Sequence, residues 1–291
     1  MAAPLPIAWL NGAFVALEAA RISPLDRGFL FGDAVYEVLP VYGGRPFLVA
    51  EHLARLERSL AELSIPNPRS RAQWAELIEL LIVRNGSGDM NVYLQVSRGA
   101  EAGRNHAMPQ GLVPTVFLMA TPPVAADPLA LTRGVSAITL PDPRWKRCDI
   151  KSTALLGNVL AKSAAVAAGV TEAILVADGV LHEGASTSVL VVSDGTLQAP
   201  PDGPEILPGT TRALCLRLAA AASIPVVVAP VSVTALASAD EVLICFASRG
   251  VLAVTRLDGR AVGAGQPGPV WRRLYADFEA YRHSLAGTPA L

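Results

Sequence analysis

The sequence predicts an α+β fold of two domains. The chain has 291 residues, enough for one large domain or two of medium size, and its hydrophobic content of 52% can fill a sizeable core. Short segments with strand and turn signals alternate with helical segments. The stretch "TPPVAADPLALTRG" over 121–134 is rich in proline, alanine and glycine and is typical of a connector. We therefore expect a small domain over 1–124, an interdomain connector over 125–135 and a larger domain over 136–291.

Two β-hairpins are predicted near the start of the chain. In "IAWLNGAFVALEAARIS", Asn11-Gly12 separates two strand-like halves, and this dipeptide favours a two-residue turn. In "AVYEVLPVYGGRPFLV", apolar residues alternate on both sides of Gly43-Gly44. Each segment is therefore expected to fold back on itself as an antiparallel pair of strands.

Two helices and a strand are predicted to complete the first domain. In "EHLARLERSLAEL", leucines recur at helical spacing and are expected to face a core. These leucines are Leu53, Leu56, Leu60 and Leu63. Arg55 and Arg58 lie off this apolar stripe. The segment "RAQWAELIELLIVRNG" predicts a second helix and "MNVYLQVSRG" a strand.

The second domain is predicted to alternate strands and helices. The expected strands lie near 134–140, 172–177, 188–192, 225–229 and 241–246. The expected helices lie at 153–168, at 212–222 and from about residue 268 onward. Turn signals follow two of the strands, at Asp178-Gly179 and Asp194-Gly195, and the first of them predicts a hairpin.

The charge balance excludes two classes of partner. The chain has 24 basic and 25 acidic residues, a formal net charge of -1 and no long run of either sign. A nucleic-acid surface or a polybasic membrane patch requires clustered positive charge. The expected partner is therefore a small molecule.

The cysteines and the apolar segments bear on the compartment. Cys148, Cys215 and Cys245 lie far apart, without a C-x-x-C pair or a cluster with histidines, so neither a disulfide framework nor a structural zinc site is predicted. The weakly charged stretch 218–239 contains prolines and predicts helix, turn and strand rather than a membrane span. The N-terminal segment lacks the basic leader of a secretion signal. We expect no bound metal, no membrane contact and a cytoplasmic protein.

Three features of the chain supply reactive or ligand-binding groups. Lys151 in "WKRCDIKSTALLGNVLAK" lies between a short apolar strand and a predicted helix, although a lone lysine is most often a surface charge. Glu183 in "LHEGASTS" lies between an apolar strand and a loop of small residues. In "ILPGTTR", Gly209, Thr210 and Thr211 open a helix, whose free N–H groups bind phosphate, although the threonines could equally cap the helix. Pyridoxal phosphate requires an amine, a carboxylate and a phosphate anchor of these kinds.

Five segments follow one another in an order that is specific to one family: "DRGFLFGDAVYEV", "EHLARL", "RCDIKSTALLGNVLAK", "EAILVADGVLHEGASTS" and "ILPGTTR". With this set the chain resembles the fold-type IV pyridoxal-phosphate enzymes, which include branched-chain and D-amino-acid aminotransferases and aminodeoxychorismate lyase. The resemblance covers nearly the whole chain and is strongest to the D-amino-acid aminotransferases. It implies a small N-terminal α/β domain, a larger C-terminal domain with a β-barrel-like core, and an active site between them.

The resemblance implies roles in binding pyridoxal 5'-phosphate. Lys151 would form the internal aldimine and then move the proton between the substrate Cα and the C4′ carbon of the cofactor. Glu183 would face the pyridine nitrogen and keep it protonated, so that the ring can accept electrons. The other cofactor contacts would come from Arg55, Thr210, Thr211 and Ser248 around the phosphate and from Leu207 against the ring. From the helix pattern alone, Arg55 would be a solvated charge.

The resemblance also implies how the substrate is held. In "RGAEAGRNHAMP", Arg104 and His106 match the R-x-H pair with which D-amino-acid aminotransferases, together with a tyrosine, here Tyr36, hold the substrate α-carboxylate. A guanidinium binds a carboxylate through two hydrogen bonds, and the ring donors add more. In this family the loop reaches the active site of the neighbouring subunit, so a homodimer is implied. From the residues alone, an exposed polar loop is an equally natural interpretation.

Several positions depart from the pattern of the D-amino-acid aminotransferases. Pro40 stands where many of these enzymes have lysine, and Ser188 replaces an asparagine. Phe246 and Ala247 occupy a loop that is small and rich in hydroxyls in the family, although its backbone N–H groups can still bind phosphate. We expect the next cation, Arg249, to face solvent, the alternative being that it binds a substrate carboxylate. The departures leave the substrate range open.

Other polar residues of the chain are assigned structural roles or none. His52 is expected to support helix packing, and Arg98 to stabilise a strand end. No catalytic role is expected for Asp33, His182 or His283.

We therefore expect a cytoplasmic homodimer that moves the amino group of a D-amino acid to a 2-oxo acid, either 2-oxoglutarate or pyruvate. Within the family, the alternatives are a branched-chain L-amino-acid aminotransferase and aminodeoxychorismate lyase, and the R-x-H pair argues against both. A catalytically silent relative with the same fold is a further alternative, against which Lys151 and Glu183 argue together. An NAD-linked oxidoreductase is not expected, because no G-x-G-x-x-G follows a strand.

Overall fold

The structure, a computed structural model, describes residues 3–124 and 127–286, which group into two compact units. Of the described residues, the first unit comprises 3–124, Ile150–Ala154 and Ala286, and the second comprises 127–149 and 155–285. Residues 125 and 126, which begin the predicted connector, lie outside the described residues, as do the ends of the two predicted domains, residues 1, 2 and 287–291. The predicted domain limits remain predictions.

The first unit is built on an antiparallel sheet. Its strands are β1 (Ile7–Leu10), β2 (Ala13–Ala16), β3 (Ala34–Tyr42), β4 (Arg45–Pro46), β5 (Met90–Ser97) and β6 (Thr115–Thr121). Within residues 3–124 these six strands lie in the order β2-β1-β6-β5-β3-β4. The helices are α1 (Arg27–Phe31), α2 (Val49–Glu62) and α3 (Arg71–Arg84), and a short 3-10 helix covers Leu17–Ala19.

Both predicted hairpins are present in this sheet. Strand β1 pairs with β2 across Asn11-Gly12, and β3 pairs with β4 across Gly43-Gly44. All four turn residues have positive φ, which asparagine and glycine adopt with less strain than other residues. The turn chemistry therefore accounts for the position of each hairpin.

The core of the first unit lies between one face of the sheet and helices α2 and α3. The leucine stripe of α2 packs there as predicted, with Leu53, Leu56 and Leu60 buried and Leu63 partly buried against the cluster. Burying one such side chain contributes about 1.5–3 kcal/mol. Arg55 is buried as well, because it pairs with a carboxylate inside the unit. The leucine stripe does not predict this burial.

The segment Ile150–Ala154 lies along β3. The backbone N–H of Thr153 donates to the carbonyl oxygen of Ala34 at 2.9 Å. This pairing explains why the segment groups with the first unit. It also explains why the helix predicted over 153–168 begins only at Leu156, because residues held in strand-like pairing cannot join a helix.

The second unit is built on a mixed sheet with helices around it. Its strands are β7 (Val135–Pro141), β8 (Glu172–Ala177), β9 (Val180–Gly184), β10 (Ser188–Ser193), β11 (Thr196–Ala199), β12 (Val226–Val228), β13 (Glu241–Phe246), β14 (Gly250–Leu257) and β15 (Arg260–Ala261). Its helices are α4 (Pro128–Arg133), α5 (Leu156–Ala167), α6 (Thr210–Ala221), α7 (Val233–Ala237) and α8 (Pro269–Ala286). The strands predicted in this part are confirmed as β7, β8, β10, β12 and β13, and β14 was not predicted.

Within residues 127–286 the nine strands form one sheet in the order β12-β11-β10-β13-β14-β7-β8-β9, and β15 pairs with β14. The pairs β11–β12, β14–β7 and β7–β8 are parallel, and the other pairs are antiparallel. The sheet curls, because four strands separate β9 from β10 in this order although only residues 185–187 connect them. The N–H of Gly184 closes this short turn by donating to the carbonyl oxygen of Thr187 at 2.7 Å. The barrel-like core expected from the resemblance is thus confirmed as a curled half-barrel.

The described part of the predicted connector is not a plain linker. It contains α4, whose N-cap Asp127 accepts a hydrogen bond from the backbone N–H of Leu129 at 3.0 Å. Pro128 occupies the first turn, where its missing N–H is not needed. The composition of this stretch therefore reflects a capped helix start rather than a loop.

Two kinds of feature are absent from the part of the chain that the structure describes. No helix there has both the length and the apolar character needed to cross a bilayer. No group of three or more His, Cys, Asp or Glu side chains in the same residues could hold a metal ion. The three cysteines of the chain, all within the described residues, are buried free thiols.

Candidate active site

Lys151 has an anchored backbone and an amine set against an aromatic ring. Its N–H donates to the hydroxyl oxygen of Ser59 on α2 at 3.2 Å, and its carbonyl oxygen accepts from the N–H of Tyr36 on β3 at 2.9 Å. The Nζ atom lies 4.3 Å from the centre of the Tyr36 ring. A cation in this position is attracted to the ring face. Lys151 is therefore a half-buried, positioned amine and not a solvated surface charge.

Tyr36 is in turn held by a second tyrosine. The rings of Tyr36 and Tyr93 stack with centroids 5.6 Å apart, and the Tyr93 hydroxyl donates to Oε1 of Gln95 at 2.6 Å. Burial, together with the neighbouring Tyr36, raises the pKa of Tyr93 to about 12. Tyr93 therefore stays a neutral phenol at physiological pH and adds no negative charge beside Lys151.

Arg55 belongs to a buried charged cluster. Its Nε and Nη2 atoms donate to the two carboxylate oxygens of Glu37 at 2.8 Å each, and Nδ1 of His52 donates to the same carboxylate at 2.7 Å. Burial alone would raise the pKa of Glu37, but Arg55 and His52 hold it well below its usual range. Burial lowers the pKa of His52, so the imidazole is a neutral donor. The solvated-charge interpretation of Arg55 is wrong, since only 7% of this residue is exposed.

The loop that carries the R-x-H pair is tied down by Arg27. The Arg27 guanidinium donates to Asp33 at 2.8 Å, to Glu101 at 2.6 Å and to the carbonyl oxygen of Asn105 at 2.7 Å. Asp33 is shared with Arg98, which also donates to backbone carbonyls at the end of α2. Burial alone would raise the pKa of Asp33, but hydrogen bonds from the two arginines lower it. Ion pairs and hydrogen bonds therefore hold the start of the loop in place.

The structure brings Arg104 and His106 together on one aromatic ring. The Arg104 guanidinium lies 5.1 Å from the centre of the Phe31 ring, and the His106 ring lies 5.4 Å from it. The Arg27 guanidinium approaches the same ring at 4.7 Å. Both Arg104 and His106 are exposed, so their donor groups are accessible to a carboxylate ligand. Tyr36, the third predicted member, lies with Lys151 and Tyr93.

In the second unit, Glu183 is a buried carboxylate with two donors. It lies near the end of β9, and its Oε1 atom accepts hydrogen bonds from Nη1 of Arg144 and, at 3.1 Å, from the backbone N–H of Leu207. A buried carboxylate is tolerated only when it is paired and hydrogen-bonded in this way. The predicted residues Glu183 and Leu207 are therefore neighbours, linked through the Leu207 backbone.

Arg144 is itself fixed by Asp142 in the segment after β7. Its Nε and Nη2 atoms donate to the two oxygens of Asp142 at 2.9 and 2.7 Å. Burial alone would raise the pKa of Asp142, but hydrogen bonds from Arg144 and His182 lower it to about 2. Burial alone would lower the pKa of Arg144, but Asp142 and Glu183 raise it. A permanently charged donor therefore faces Glu183 and stabilises its ionised form.

The start of α6 offers an anion-binding set of groups. Gly209 is the N-cap and makes no side-chain cap, so Thr210 and Thr211 lie inside the helix instead of capping it. The Thr211 hydroxyl donates to the carbonyl oxygen of Phe246 at 3.1 Å, which links the helix start to the end of β13. A Cβ atom on Gly209 would lie 2.4 Å from the hydroxyl oxygen of Ser188, so a larger residue here would require the Ser188 side chain to move. The first N–H groups of α6 are the groups that bind phosphate at other helix starts.

The turn after β13 holds the last predicted residues. Ser248 is half-buried in this turn, at the end of the strand that Thr211 contacts. Arg249 is exposed, and its guanidinium lies 5.7 Å from the centre of the Phe246 ring. The exposure agrees with the expectation that Arg249 faces solvent.

Residue by residue, these groups have the chemistry that pyridoxal phosphate requires. Lys151 offers an amine, Glu183 offers an ionised carboxylate for a ring N–H, and the start of α6 offers N–H donors for a phosphate. Arg55 offers a buried guanidinium. Sequence reasoning missed the residues that hold these groups in place, among them Phe31, Glu37, Tyr93, Asp142 and Arg144, because no local pattern marks them.

Residues 34–257 match the family described as amino-transferase class IV. A D-alanine aminotransferase from Staphylococcus epidermidis is 40% identical to this chain over 276 residues, which cover 95% of this chain and 98% of that enzyme. Among solved structures, an Escherichia coli branched-chain amino acid aminotransferase has a TM-score of 0.88 at 27% identity, covering 95% of this chain and 94% of its own. A T.th. branched-chain amino acid aminotransferase with pyridoxamine 5'-phosphate has a TM-score of 0.87 at 28% identity, covering 97% and 95%.

Proposed function

The chain belongs to the class IV aminotransferases, and on that premise we propose that it moves the amino group of a D-amino acid to a 2-oxo acid with pyridoxal phosphate as its cofactor. The observation that carries the proposal is the anchored Lys151 amine against the ring of Tyr36. The D-alanine aminotransferase relative supports the D-amino acid as donor. We propose pyruvate or 2-oxoglutarate as the acceptor.

Pyridoxal phosphate, when bound, supplies an aldehyde that takes up the amino group and a ring that accepts electrons from the substrate Cα. Lys151 would hold the cofactor through its amine and, once displaced by the substrate amino group, would move the proton at the substrate Cα. The backbone N–H and carbonyl oxygen of Lys151 are both hydrogen-bonded, so the backbone stays in place while the side chain moves. Positioning of this kind is a large part of what a general base needs.

Glu183 would accept a hydrogen bond from the protonated ring nitrogen. Arg144 and the Leu207 N–H keep the carboxylate ionised and in one orientation. A neutral or misplaced carboxyl group would leave the ring nitrogen unprotonated, and the ring would then accept electrons poorly. The side chain of Leu207 would pack against the ring.

The start of α6 would hold the phosphate. Thr210 and Thr211 contribute N–H groups there, and Ser248 contributes from the turn after β13. Arg55 adds a positive charge whose direction is set by its two bonds to Glu37. Hydrogen bonds within each unit already orient the Arg55 and Thr211 side chains, so little would be lost in ordering them.

The substrate α-carboxylate is bound by Arg104 and His106 together with Tyr36. Phe31 supports the first two side chains, and Arg27 secures their loop. A guanidinium held over a ring presents its N–H edge to a carboxylate.

A branched-chain L-amino-acid aminotransferase is the second candidate, since both of the solved structures described above carry that name. Their identities of 27% and 28% are lower than the 40% to the D-alanine aminotransferase. The exposed R-x-H pair also favours the D-amino acid, as the sequence pattern predicts. Aminodeoxychorismate lyase has no specific observation in its favour.

We infer that the enzyme is a homodimer of the cytoplasm. The exposed loop with Arg104 and His106 supports the dimer. In the family that the chain resembles, this loop reaches the active site of the neighbouring subunit. The three buried thiols support a reducing compartment. Light scattering coupled to size exclusion measures the mass in solution, and a monomer would contradict the dimer.

The deciding experiment is a set of half-reactions. The protein loaded with pyridoxal phosphate is mixed separately with D-alanine, D-glutamate, L-valine and L-leucine, and the decay of the near-visible absorption band is followed. We expect the D-amino acids to convert the cofactor faster, and pyruvate or 2-oxoglutarate to restore the band. Faster conversion by L-valine or L-leucine would establish the branched-chain alternative instead.

A further inference from the structure

In the second unit, Glu183 is the first of four side chains that are linked by hydrogen bonds. Arg144 donates to Glu183 through Nη1 and to Asp142 through Nε and Nη2. Oδ2 of Asp142 also accepts from Nδ1 of His182, at 2.8 Å. The side chains are largely buried, with relative exposures of 7% for Glu183, 4% for Arg144, 7% for Asp142 and 14% for His182.

We propose that His182 is a positioning residue for Glu183, acting through Asp142 and Arg144. This role rests on the proposed function, in which Glu183 binds the ring nitrogen of pyridoxal phosphate. It was not expected from the sequence, which assigned no catalytic role to His182. His182 touches neither cofactor nor substrate in this proposal.

The arrangement of the strand requires an indirect route. His182 and Glu183 are consecutive residues of β9, and consecutive strand residues point to opposite faces. His182 therefore cannot bond to the Glu183 carboxylate itself. Asp142 and Arg144, from the segment after β7, connect the two side chains.

The geometry of the guanidinium explains how the connection works. Both oxygens of Asp142 bind one edge of Arg144, at 2.9 and 2.7 Å, and a two-point contact fixes the plane of the group. Once the plane is fixed, Nη1 has one direction, and in that direction it meets Glu183. The position of Glu183 is thereby set by the orientation of the Asp142 carboxylate.

His182 supplies the bond that holds this carboxylate from the other side. The backbone N–H of Arg144 also donates to Oδ1 of Asp142, at 3.0 Å, so one oxygen is held locally. His182 is the donor to Oδ2 from another strand. Without it, Oδ2 keeps only the bond from Nη2 of Arg144, and the carboxylate is less firmly oriented. Nη2 also donates to the carbonyl oxygen of Glu205 at 3.0 Å, so loss of the His182 bond would loosen Arg144 without releasing it.

Three variants and one control test the proposal in the holoenzyme. His182→Ala removes the donor, and His182→Leu removes the donor while keeping the volume of the side chain. His182→Asn restores an N–H donor close to the position of Nδ1. The control is His283→Ala, which changes an exposed histidine on α8 whose Nδ1 bonds to the carbonyl oxygen of Glu279.

Four quantities are measured for each protein: the dissociation constant of pyridoxal 5'-phosphate, the near-visible absorption spectrum as a function of pH, kcat and KM with D-alanine, and the midpoint of unfolding. For His182→Ala and His182→Leu we expect the dissociation constant to rise about tenfold. A rise of this size is what the loss of one hydrogen bond to a charged group produces. We also expect a displaced spectral titration and a lower kcat with KM nearly unchanged. His182→Asn and His283→Ala should resemble the wild type.

A purely structural role for His182 would lower the midpoint of unfolding while leaving the dissociation constant, the spectrum and kcat at their wild-type values, and that result would overturn the proposal. If His182→Ala does not fold, His182→Leu carries the same comparison. Failure of the wild type to bind pyridoxal 5'-phosphate would overturn the proposed function together with this role. A wild type that binds and transaminates beside unchanged His182 variants would overturn the positioning role alone.

Discussion

The Glu37 carboxylate is fully buried and receives two hydrogen bonds of 2.8 Å from the Arg55 guanidinium. Each oxygen of Glu37 binds one nitrogen of Arg55, so the two groups lie edge to edge. Removal of either partner leaves an uncompensated charge inside the first unit. The pair therefore affects both the stability of the fold and the proposed phosphate site.

Arg55→Ala is expected to lower the free energy of unfolding by about 3–5 kcal/mol, because it leaves Glu37 buried and charged without its main partner. Urea unfolding of the protein without cofactor measures this effect apart from phosphate binding. Arg58→Ala, an exposed arginine on the same helix, is the control, with an expected change within about 0.5 kcal/mol. Equal losses in the two variants would contradict the importance of the buried pair.

Lys151→Ala is expected to abolish both the near-visible band and transamination, because the amine that holds the cofactor is gone. The unfolding midpoint should change little, since the backbone bonds of residue 151 to Ser59 and Tyr36 remain. Absorption spectra and half-reactions measure the effect. Lys146→Ala, at an exposed lysine nearby, should keep the band and the activity. A full band in Lys151→Ala would assign the amine to another residue.

Arg104→Ala is expected to raise KM for D-alanine about tenfold to a hundredfold, because hydrogen bonds between charged groups are lost. The absorption band should stay in place. Steady-state kinetics and spectra together make the measurement. Phe31→Leu should raise KM less, because it removes only the ring on which Arg104 lies. Disappearance of the band in Arg104→Ala would instead place this residue at the cofactor.

Arg249→Ala is the matched control for Arg104→Ala, since Arg249 is an exposed arginine that lies against an aromatic ring. We expect unchanged KM values for D-alanine and for D-glutamate, because the side chain faces solvent. Kinetics with the two amino acids measure this. A rise in KM for D-glutamate alone would show that Arg249 binds the second carboxylate of a dicarboxylic substrate.

Acid should remove the stabilisation that Asp142 provides. The pKa of Asp142 is lowered to about 2 in the folded protein, from an ordinary value of 3.8. A lowered carboxyl pKa stabilises the fold fully above the unfolded value, and this stabilisation is lost as the pH falls through the folded value. The shift corresponds to about 2 kcal/mol, which should disappear between roughly pH 4 and pH 2.

Urea unfolding at several pH values measures the loss, with Asp142→Asn as the comparison. The variant should be less stable than the wild type at pH 7, and the difference should shrink as the pH approaches 2. A difference that is the same at every pH would show that Asp142 acts through packing and not through its charge.

Elements with a clear period or turn signal could be predicted from the sequence. The leucine stripe of α2 and the glycine turns of the hairpins each follow from local chemistry. Strand β14 was missed because "GVLAVTRL" is a short apolar run without alternation, which does not distinguish a strand from a helix. Helix α1 has only five residues and depends on its Asp26 cap, whose side chain accepts from the Gly28 N–H.

The candidate site was predicted only where the sequence carries linear motifs. Lys151 and Glu183 lie in such motifs, but their supporting residues do not. Arg144 lies 39 positions before Glu183, and Glu37 lies 18 positions before Arg55. Pairs of this kind become visible only when the fold brings distant segments together, so Arg55 was predicted as a ligand without the carboxylate that orients it.

The grouping of Ile150–Ala154 with the first unit has a consequence for biosynthesis. A ribosome must have released the chain past residue 154 before β3 can acquire this partner segment. The first sheet can form earlier from residues 3–124, but it remains unfinished while the intervening residues emerge. A nascent chain arrested before this point would carry an incomplete edge at β3, with the backbone groups that pair with residues 151 and 153 still open to solvent.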